Sequence, residues 1–367
     1  MLPVELPLYF KVHDRKGNGG YPKSFPFHLY FDQDLNMYRQ RPGQTLNDLL
    51  KSMYETGTLV EGSLSNESGK IYLDKMVAYV AEAATDLSGK KVLEIGCGSG
   101  LLLKHLKELG ADVLGVEPGT HKPLKDIGDI RIIRDFFPTK QIEGEFDIII
   151  HYGVLEHIED PISFLIGQKQ YLRREGRMII SVPNCGPFLA TGDLSIFIHE
   201  HFNYFTGQSL ERVVQHTGLT VLDLQVFEGV ILAVVGHTGS GHRPLIASVP
   251  FDNENFEDQV SSFTQKVKAE LARYNPEEIA IYVPFRAMNA LFLAGILNTR
   301  LVDDNSEVNG SYIPCFELPI ENFASLRQRP PKCILIYSRT FGDRIKQKCR
   351  AEPAFQFTKI LTLDELN

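Results

Sequence analysis

The stretch Lys90–Gly100, KKVLEIGCGSG, joins a short apolar run to a turn that contains three glycines. The run is typical of a buried strand, and the following LLLKHLKELG has the apolar spacing of a helix that ends at Gly110. Glycine at positions 96, 98 and 100 lets the backbone turn tightly and approach a ligand closely. The stretch therefore predicts a strand–turn–helix unit with a ligand at Gly96, Gly98 and Gly100.

Acidic residues stand at the ends of the neighbouring predicted strands. Glu94 precedes the glycines, Glu117 ends the strand ADVLGVE, and Asp135 and Phe136 end the strand IRIIRDFF. A carboxylate at the position of Glu117 can accept both ribose hydroxyls. An acid followed by an aromatic ring is placed to meet the edge and the face of an adenine. Together these residues favour a cofactor that contains adenosine.

Two alternatives bear on this glycine turn. Nicotinamide and flavin sites have the spacing GxGxxG, with a glycine that packs the helix against the strand, whereas Leu101 and Leu102 follow the turn here. A dinucleotide dehydrogenase is therefore disfavoured. The second alternative is a glycine turn in an unrelated α/β sheet.

The chain around this stretch alternates between strands and helices, which predicts βαβ units and a mostly parallel sheet. FDIIIHYGV and RMIISVPN are its fourth and fifth strands, and ISFLIGQKQYLRREG between them is predicted to be one helix that ends at Gly176. Two further strands after GQSLERVVQHTG predict an antiparallel finish. The fold class is α/β, with a Rossmann-like domain over residues 70–237.

Three other segments complete the predicted organisation. Residues 1–69 are an irregular arm or lid with a short strand, FPFHLYFD, and a helix ended by Gly57. Residues 238–275 hold a linker, HTGSGHRP, and a long helix, and residues 276–367 form a second, smaller Rossmann-like α/β domain. Its opening IAIYVPFRAMN lacks phosphate-binding glycines, so a second nucleotide site is not expected. Arg286 is a candidate for a substrate phosphate; the alternative is a domain that only packs.

Composition excludes several classes of function. The 367 residues carry a net charge of −8, which argues against nucleic acid or an anionic membrane as a partner. The five cysteines form no CxxC pair, so a structural zinc site is not expected. The first residues do not have the pattern of a signal peptide, and no apolar run approaches 18 residues. We expect a cytoplasmic protein that acts on a small molecule.

A second group of chemically capable side chains follows the fourth and fifth strands. HYGVLEHIEDP brings Tyr152, Glu156 and His157 to the carboxyl edge of the sheet, VPNCGPF brings Asn184, and FIHEHFNYF adds His199 and His201. Ligands of parallel sheets bind at this edge. Histidine titrates near neutral pH and suits a general base. The alternatives are core histidines, and a metal site on His199-x-His201, for which no third ligand is apparent.

The glycine turn and its acids resemble those of the class I S-adenosylmethionine (SAM) dependent methyltransferases, over residues 70–236. The resemblance implies that the three glycines contact the methionine and ribose parts of SAM. It places Glu94 near the methionyl amino group, Glu117 on the ribose and Asp135 with Phe136 on the adenine. SAM needs no metal for methyl transfer, and none is expected.

HEHFNYF, together with VDDNSEVNGSYIPCFELPI near the C-terminus, resembles the three-domain C-methyltransferases that act on nucleotide-linked keto-deoxysugars. The resemblance implies His201 as the base, with Glu200 beside it and Tyr204 following. The chain departs from that family in two ways. No cysteine-rich zinc-binding domain precedes Cys97, and Ile198 replaces the tyrosine that usually precedes His-Glu-His.

Three functions are consistent with these features. The first is C-methylation of a nucleotide-linked keto-deoxysugar. The second is O- or N-methylation of a sugar or another small polar metabolite. The third, a SAM-binding scaffold without turnover, is disfavoured because the glycines, Glu117 and Asp135 are all present.

Overall fold

The computed structural model describes residues 2–9, 16, 20–55, 67–119, 128–237 and 254–366. The chain divides into two compact units. We call Tyr30–Cys185 with Glu200–Ser248 the first unit, and Met1–Leu29, Gly186–His199 and Val249–Asn367 the second unit. None of the helices in the described ranges has the length and apolar character needed to cross a membrane.

The strands in the described residues are β1 (Leu2–Pro7), β2 (Ser24–Asp32), β3 (Met37–Gln40), β4 (Lys91–Ile95), β5 (Asp112–Val116), β6 (Arg131–Ile133), β7 (Phe146–Tyr152), β8 (Leu172–Pro183), β9 (Asn203–Tyr204), β10 (Leu219–Phe227), β11 (Val230–His237), β12 (Ile279–Tyr282), β13 (Arg300–Val302), β14 (Ile320–Glu321), β15 (Cys333–Ile336) and β16 (Lys359–Thr362). The α-helices there are α1 (Gln44–Glu55), α2 (Glu67–Ala84), α3 (Leu101–Glu108), α4 (Pro161–Lys169), α5 (Gly186–Leu189), α6 (Gly207–His216), α7 (Phe256–Leu271), α8 (Pro284–Ala294), α9 (Phe323–Gln328) and α10 (Gly342–Arg350).

The first unit is built on a seven-stranded sheet in the order β10-β11-β8-β7-β4-β5-β6. Strands β4 to β8 run parallel to one another, and β10 and β11 finish the sheet antiparallel. Successive residues of β4, Val92 and Leu93, are fully buried in two different apolar clusters. Both faces of the sheet are therefore covered, which explains why its strands are continuous apolar runs. The predicted Rossmann-like fold is confirmed.

The order of this sheet fixes where a ligand can bind. Numbered from β4, the parallel strands lie in the order 3-2-1-4-5, which reverses between β4 and β7. In open α/β sheets the binding crevice lies outside the carboxyl ends of the strands at that reversal. The residues that follow Ile95 and Tyr152 therefore border the expected site.

One predicted helix is too long. The stretch ISFLIGQKQYLRREG was expected to be helical to Gly176, but α4 ends at Lys169 and β8 begins at Leu172. Leu172 pairs with Phe146 of β7, so the start of β8 is fixed by a partner distant in sequence. Helical propensity in LRREG is overridden by this pairing.

The second unit contains a five-stranded parallel sheet in the order β14-β13-β12-β15-β16. Its central strand β12 alternates between two apolar clusters, with Ile279 and Ile281 in one and Ala280 and Tyr282 in the other. The predicted second α/β domain is confirmed. The predicted linker after His237 and the predicted helix end at Gly57 lie outside the described residues.

The N-terminal arm is more regular than predicted. β1 pairs antiparallel with β2, from Leu2↔Leu29 to Pro7↔Ser24, and β3 pairs with β9 at Tyr38↔Tyr204. The second pairing joins residues 166 positions apart (204 − 38). Local periodicity cannot reveal a strand that is defined by so distant a partner.

Candidate active site

The glycine turn lies at the end of β4, where the strand order reverses. Gly96, Gly98 and Gly100 have φ of +73°, +51° and +82°, a region that favours glycine, and Gly100 caps the start of α3. A Cβ on Gly96 would lie 2.4 Å from Val154 Cγ2, whereas one on Gly98 would meet no described atom within 4 Å. Gly96 therefore serves packing, and Gly98 leaves its backbone open on one side.

The two acids nearest the turn have different environments. Glu94 on β4 is 4% exposed, and its Oε2 has no hydrogen-bond partner among the described residues. Burial, and then the charge of Glu117, raise the pKa of Glu94 well above its usual value. Glu117 accepts hydrogen bonds from the backbone N–H of Gly98 at 2.9 Å and of Gly119 at 2.7 Å. A carboxylate has about four acceptor positions, so it retains capacity for two hydroxyls.

Asp135 and Phe136 follow β6 at the same edge. The Asp135 carboxylate accepts from Thr139 Oγ1 at 2.7 Å and from the Phe136 N–H at 2.8 Å. These bonds, with Thr139 contributing most, lower the pKa of Asp135 below its usual value. Phe136 is 54% exposed, unlike the apolar residues of the core. The pair presents a fixed anion beside an exposed ring.

A second turn contacts the glycine turn directly. Val154, the closest neighbour of Gly96, follows β7 and precedes a short 3₁₀ helix, Leu155–His157. β4 and β7 are adjacent parallel strands, paired at Glu94↔Ile150. Glu156 and His157 are therefore held at the same edge of the sheet as the three glycines.

The histidine stretch is bonded to this second turn at several points. His157 Nδ1 is 2.9 Å from Glu200 O, and the Phe202 N–H donates to Glu156 O at 2.7 Å. Asn203 Nδ2 donates to Leu155 O at 3.3 Å and to Ile158 O at 2.6 Å. These hydrogen bonds bring residues 200–203 against residues 155–158, although about forty residues separate them in sequence.

Glu156, His157 and His201 form a cluster in the first unit. Their nearest donor atoms all lie within 4.8 Å of one another, and the two imidazole ring centroids are 4.6 Å apart. Burial raises the pKa of Glu156 to about 8 and lowers the pKa of His157 to about 4. Burial also raises the pKa of Glu200 to about 7. Burial therefore favours the neutral forms of Glu156 and His157, and it brings the pKa of the Glu156 and Glu200 carboxyls near neutral pH.

Three further predicted residues, Tyr204, Tyr152 and Asn184, belong to the same unit as this cluster. Tyr204 is buried on β9, and its hydroxyl donates to His201 O at 3.0 Å, so it supports the backbone of His201. Half-buried Tyr152 ends β7, and burial raises its pKa to about 12. Asn184 follows β8, and its N–H donates to Gly229 O at 2.9 Å.

Two predicted substrate residues belong to the second unit. His199 is 1% exposed, its Nε2 is 3.0 Å from Phe25 O, and its ring packs edge-on against Phe25 and Phe27. His199 therefore fits the alternative of a core histidine. Arg286 is exposed near the start of α8. The structure does not group these two residues with the cluster around His201.

A cavity of about 500 Å³ lies in the second unit, and Arg339 is among its lining residues. The guanidinium of Arg339 is already bonded to Asp193 Oδ2 at 3.0 Å, Thr191 Oγ1 at 2.8 Å and Asp364 Oδ1 at 3.1 Å. Because Asp193 and Asp364 already pair with Arg339, its guanidinium does not require an anionic ligand from the cavity.

A family model described as a methyltransferase domain matches residues 70–224. The match covers the glycine turn, Glu117, Asp135 and the cluster around His201 on a sheet of the expected order. Residues 70–224 form a class I SAM-dependent methyltransferase domain. Its cofactor is SAM.

Curated relatives of the methyltransferase domain include ubiquinone biosynthesis O-methyltransferases. That of Acinetobacter baumannii (strain AYE) is 24% identical over 168 residues, which cover 40% of this chain and 70% of the relative. That of Pasteurella multocida (strain Pm70) is 30% identical over 126 residues, which cover 29% of this chain and 52% of the relative. The mitochondrial enzyme of Schizosaccharomyces pombe is 33% identical over 104 residues, 26% of this chain and 38% of the relative.

Solved structures resemble the methyltransferase domain only in part. Magnesium protoporphyrin IX methyltransferase (ChlM) from Synechocystis PCC 6803 with bound SAM has a TM-score of 0.36 and 17% identity, over 46% of this chain and 80% of that one. The DhpI–SAH complex has a TM-score of 0.40 and 13% identity, over 55% and 100%. At these scores the likeness carries no residue-level correspondence.

Sequence reasoning missed two parts of the site in the methyltransferase domain. The sequence places Glu156 at the same edge as Tyr152 and His157, but no role is predicted for its carboxyl group. Asn203 and Val154 were not recognised as the residues that hold the two turns together. No local pattern marks them, because their partners lie in other segments.

Proposed function

We propose that the methyltransferase domain binds SAM along the edge formed by β4, β5 and β6. Gly96, Gly98 and Gly100 would contact the methionine and ribose parts, and Glu117 would accept the ribose hydroxyls with its remaining lone pairs. Glu94 would face the methionyl amino group. Asp135 and Phe136 would meet the adenine, which the exposure of the Phe136 ring supports.

We further propose that the acceptor is a nucleotide-linked keto-deoxysugar, methylated on the carbon beside its ketone with His201 as general base. The sulfonium of SAM makes its methyl group electrophilic, so the protein must supply alignment and, for a carbon acceptor, proton removal. His201 would take the proton from carbon, and bound SAM would supply the methyl group to that carbon. Glu200 and Tyr204 hold the stretch in place.

The observation that carries this proposal is the position of His201. The ring of His201 packs against the ring of His157. His157 belongs to the turn after β7, and Val154 of that turn contacts Gly96. A base and a methyl donor bound at the glycines would therefore share one edge of one sheet. Tyr152, His157 and Asn184 are proposed to border the acceptor there. Arg286 stays a prediction for a phosphate contact.

O- or N-methylation of a sugar or another small polar metabolite is the second candidate. The relatives that match the domain are named O-methyltransferases, which favours an oxygen acceptor. His201 would then remove a hydroxyl proton. The same residues would serve, so the two candidates differ in the acceptor and not in the architecture.

Hydrogen exchange separates the two candidates. The full chain is incubated in heavy water with a keto-deoxysugar nucleotide and the demethylated cofactor. Carbon methylation requires a carbon-bound proton to leave, so deuterium should enter one carbon of the sugar. His201→Gln should abolish exchange and lower turnover by about 10²–10⁴-fold, the usual contribution of a general base.

His216→Gln is the matched control, since His216 ends α6 and its Nδ1 lies 2.8 Å from Arg212 O of the same helix. It should exchange and turn over like the unchanged protein. Spontaneous exchange of the free ketone is subtracted. A product methylated on oxygen or nitrogen, without enzyme-dependent exchange, would replace the first candidate by the second.

A further inference from the structure

We propose that Glu156, His157 and His201 form a binding site for a divalent cation of the zinc class, and that a cation bound there inhibits methyl transfer. The binding half depends only on the geometry of these three residues. The inhibitory half rests on the proposed function, because it requires His201 to be the base.

The three side chains present a compact donor set. One nitrogen or oxygen from each lies within 4.8 Å of the others, and His157 Nε2 is 4.0 Å from Glu156 Oε1. Zinc binds nitrogen and oxygen at about 2.0–2.2 Å, so tetrahedral ligands lie roughly 3.4 Å apart. Side-chain rotations that move the donors by about 1–1.5 Å would complete this geometry.

The carboxyl group of Glu156 gives an independent indication of a ligand. Glu156 is 3% exposed, and its Oε2 has no hydrogen-bond partner within the described part of the chain. A buried polar atom without a partner costs free energy that a bound cation would offset. The backbone carbonyl of the same residue accepts from the Phe202 N–H, so the backbone of Glu156 is held in place while its carboxyl group can still rotate.

The orientation of His157 also suits a metal ligand. Its Nδ1 donates its proton to Glu200 O at 2.9 Å, which leaves the lone pair of the neutral ring on Nε2, the nitrogen nearest Glu156. Histidines that bind metals commonly donate the other ring proton to a carbonyl in this way. The His157 side chain is 23% exposed, which provides a route for an ion from solvent.

Two imidazoles and one carboxylate select the kind of cation. Imidazole favours zinc and its neighbours in the transition series, whereas magnesium and calcium prefer sets made only of oxygen. Three protein ligands leave a fourth position for water or an acceptor oxygen. Coordination engages the lone pair of His201, so His201 cannot accept a proton while the cation is bound.

No spacing motif predicts this site. The expectation that no metal binds was weighed against His199-x-His201, and the structure places those two residues in different units. The ligand set instead combines the adjacent pair at 156 and 157 with a histidine 44 residues further along (201 − 157). Only the hydrogen bonds between the two segments bring the three side chains together.

Binding is tested with the full chain after chelator treatment, using Co²⁺ alone as the probe. Coordination by nitrogen and oxygen in a tetrahedral site gives intense visible absorption, and Zn²⁺ should displace it at one equivalent. Glu156→Gln, His157→Gln and His201→Gln should each weaken binding by at least about 10-fold. His216→Gln should bind like the unchanged chain.

A measurement without substitutions guards against variants that fail to fold. Co²⁺ should selectively broaden the imidazole NMR signals of His157 and His201 and leave that of His216 sharp. Absence of saturable binding, or binding that the three substitutions do not weaken, overturns the site.

The inhibitory half is measured separately. Zn²⁺ should inhibit turnover with a midpoint equal to its dissociation constant from the Co²⁺ displacement. Binding without inhibition overturns this half and leaves the site in place. Activation by Zn²⁺ also overturns it, and contradicts His201 as the base in the proposed function, whereas a failure of carbon methylation alone leaves the binding result unchanged.

Discussion

Glu117 illustrates how one carboxylate can serve both the fold and a ligand. Its two oxygens accept from Gly98 and Gly119, the backbone groups that begin the loops on either side of the cofactor edge. The remaining acceptor positions are the ones proposed for ribose. Its loss should therefore affect both loop order and binding.

Replacing Glu117 with alanine should weaken SAM binding by about 1–3 kcal/mol, the cost of removing charge-assisted hydrogen bonds. Calorimetry on the purified full chain measures it. Glu108→Ala is the control, because Glu108 is an exposed residue at the end of α3. Equal SAM affinity of Glu117→Ala and the unchanged chain would remove Glu117 from the proposed cofactor site.

Single residues at the candidate site were predictable where the chemistry itself determines the residue type. The glycines with positive φ and the acids at the ends of β4, β5 and β6 stand where a strand–turn–helix pattern places them. His199 was not predictable, because its position between Phe25 and Phe27 depends on a strand 174 residues away (199 − 25).

At the scale of elements, the turn after β4 packs directly against the turn after β7. Gly96 and Val154 are in contact so close that no Cβ fits between them. Gly98 in the same turn has open space around its hypothetical Cβ. The two glycines therefore allow packing and ligand access to be examined separately.

Gly96→Ala should destabilise the methyltransferase domain by about 1–3 kcal/mol, because the new methyl group would meet Val154 Cγ2 at 2.4 Å and φ is positive. Gly98→Ala should cost less stability, since only its φ of +51° is strained, but should weaken SAM binding. Thermal unfolding and calorimetry give the two quantities. Adding Val154→Ala should restore part of the stability of Gly96→Ala; no restoration would contradict the packing argument.

Most elements of both sheets were predictable because they are local. β12 and β15 are continuous apolar runs, and α6 has a capping box formed by Thr206 and Ser209. The two-residue strands β9 and β14 were not predictable, since too few residues alternate to form a pattern. The predicted helix before Gly176 is too long for the converse reason, because pairing with β7 overrides a helix-like local pattern.

At the scale of the whole molecule, each unit is assembled from segments separated in the sequence. The division even falls inside FIHEHFNYF, between His199 and Glu200. A linear reading cannot anticipate this, because hydrophobic periodicity reports which residues are buried and not which core they join. The sequence places Glu156, His157 and His201 at the same edge of the sheet, but the same limit explains why it does not predict that their side chains meet.

The acid stability of the domain should depend on His151. This residue of β7 is fully buried, neither ring nitrogen has a hydrogen-bond partner in the described ranges, and burial lowers its pKa to about 3. The unfolded chain binds the proton near pH 6.5, and the folded domain does not until about pH 3. Stability contributed by the neutral ring is therefore lost as pH falls through this window, by an amount of the order of 5 kcal/mol.

His151→Phe should keep the ring packed against Phe164, whose centroid is 5.8 Å away, and remove the titration. We expect its stability to match or exceed that of the unchanged chain at pH 7 and to fall less between pH 6.5 and 3. Urea unfolding at several pH values measures this. Parallel pH profiles for the two proteins would contradict the assignment.

We expect the buried carboxyl of Glu94 to give up a proton when the positively charged cofactor binds. Burial, and then the charge of Glu117, raise the pKa of Glu94 well above its usual value, which favours the protonated carboxyl in the free domain. The ammonium group of SAM, bound beside it as proposed, would lower that pKa and expel the proton, so one cation replaces another.

SAM affinity should rise with pH until Glu94 is ionised in the free domain. Calorimetry in two buffers of different ionisation enthalpy should show proton release that Glu94→Gln lacks; identical heats would contradict it. The domain would then bind its methyl donor most tightly at alkaline pH, and each binding event would release a proton into the surrounding solvent.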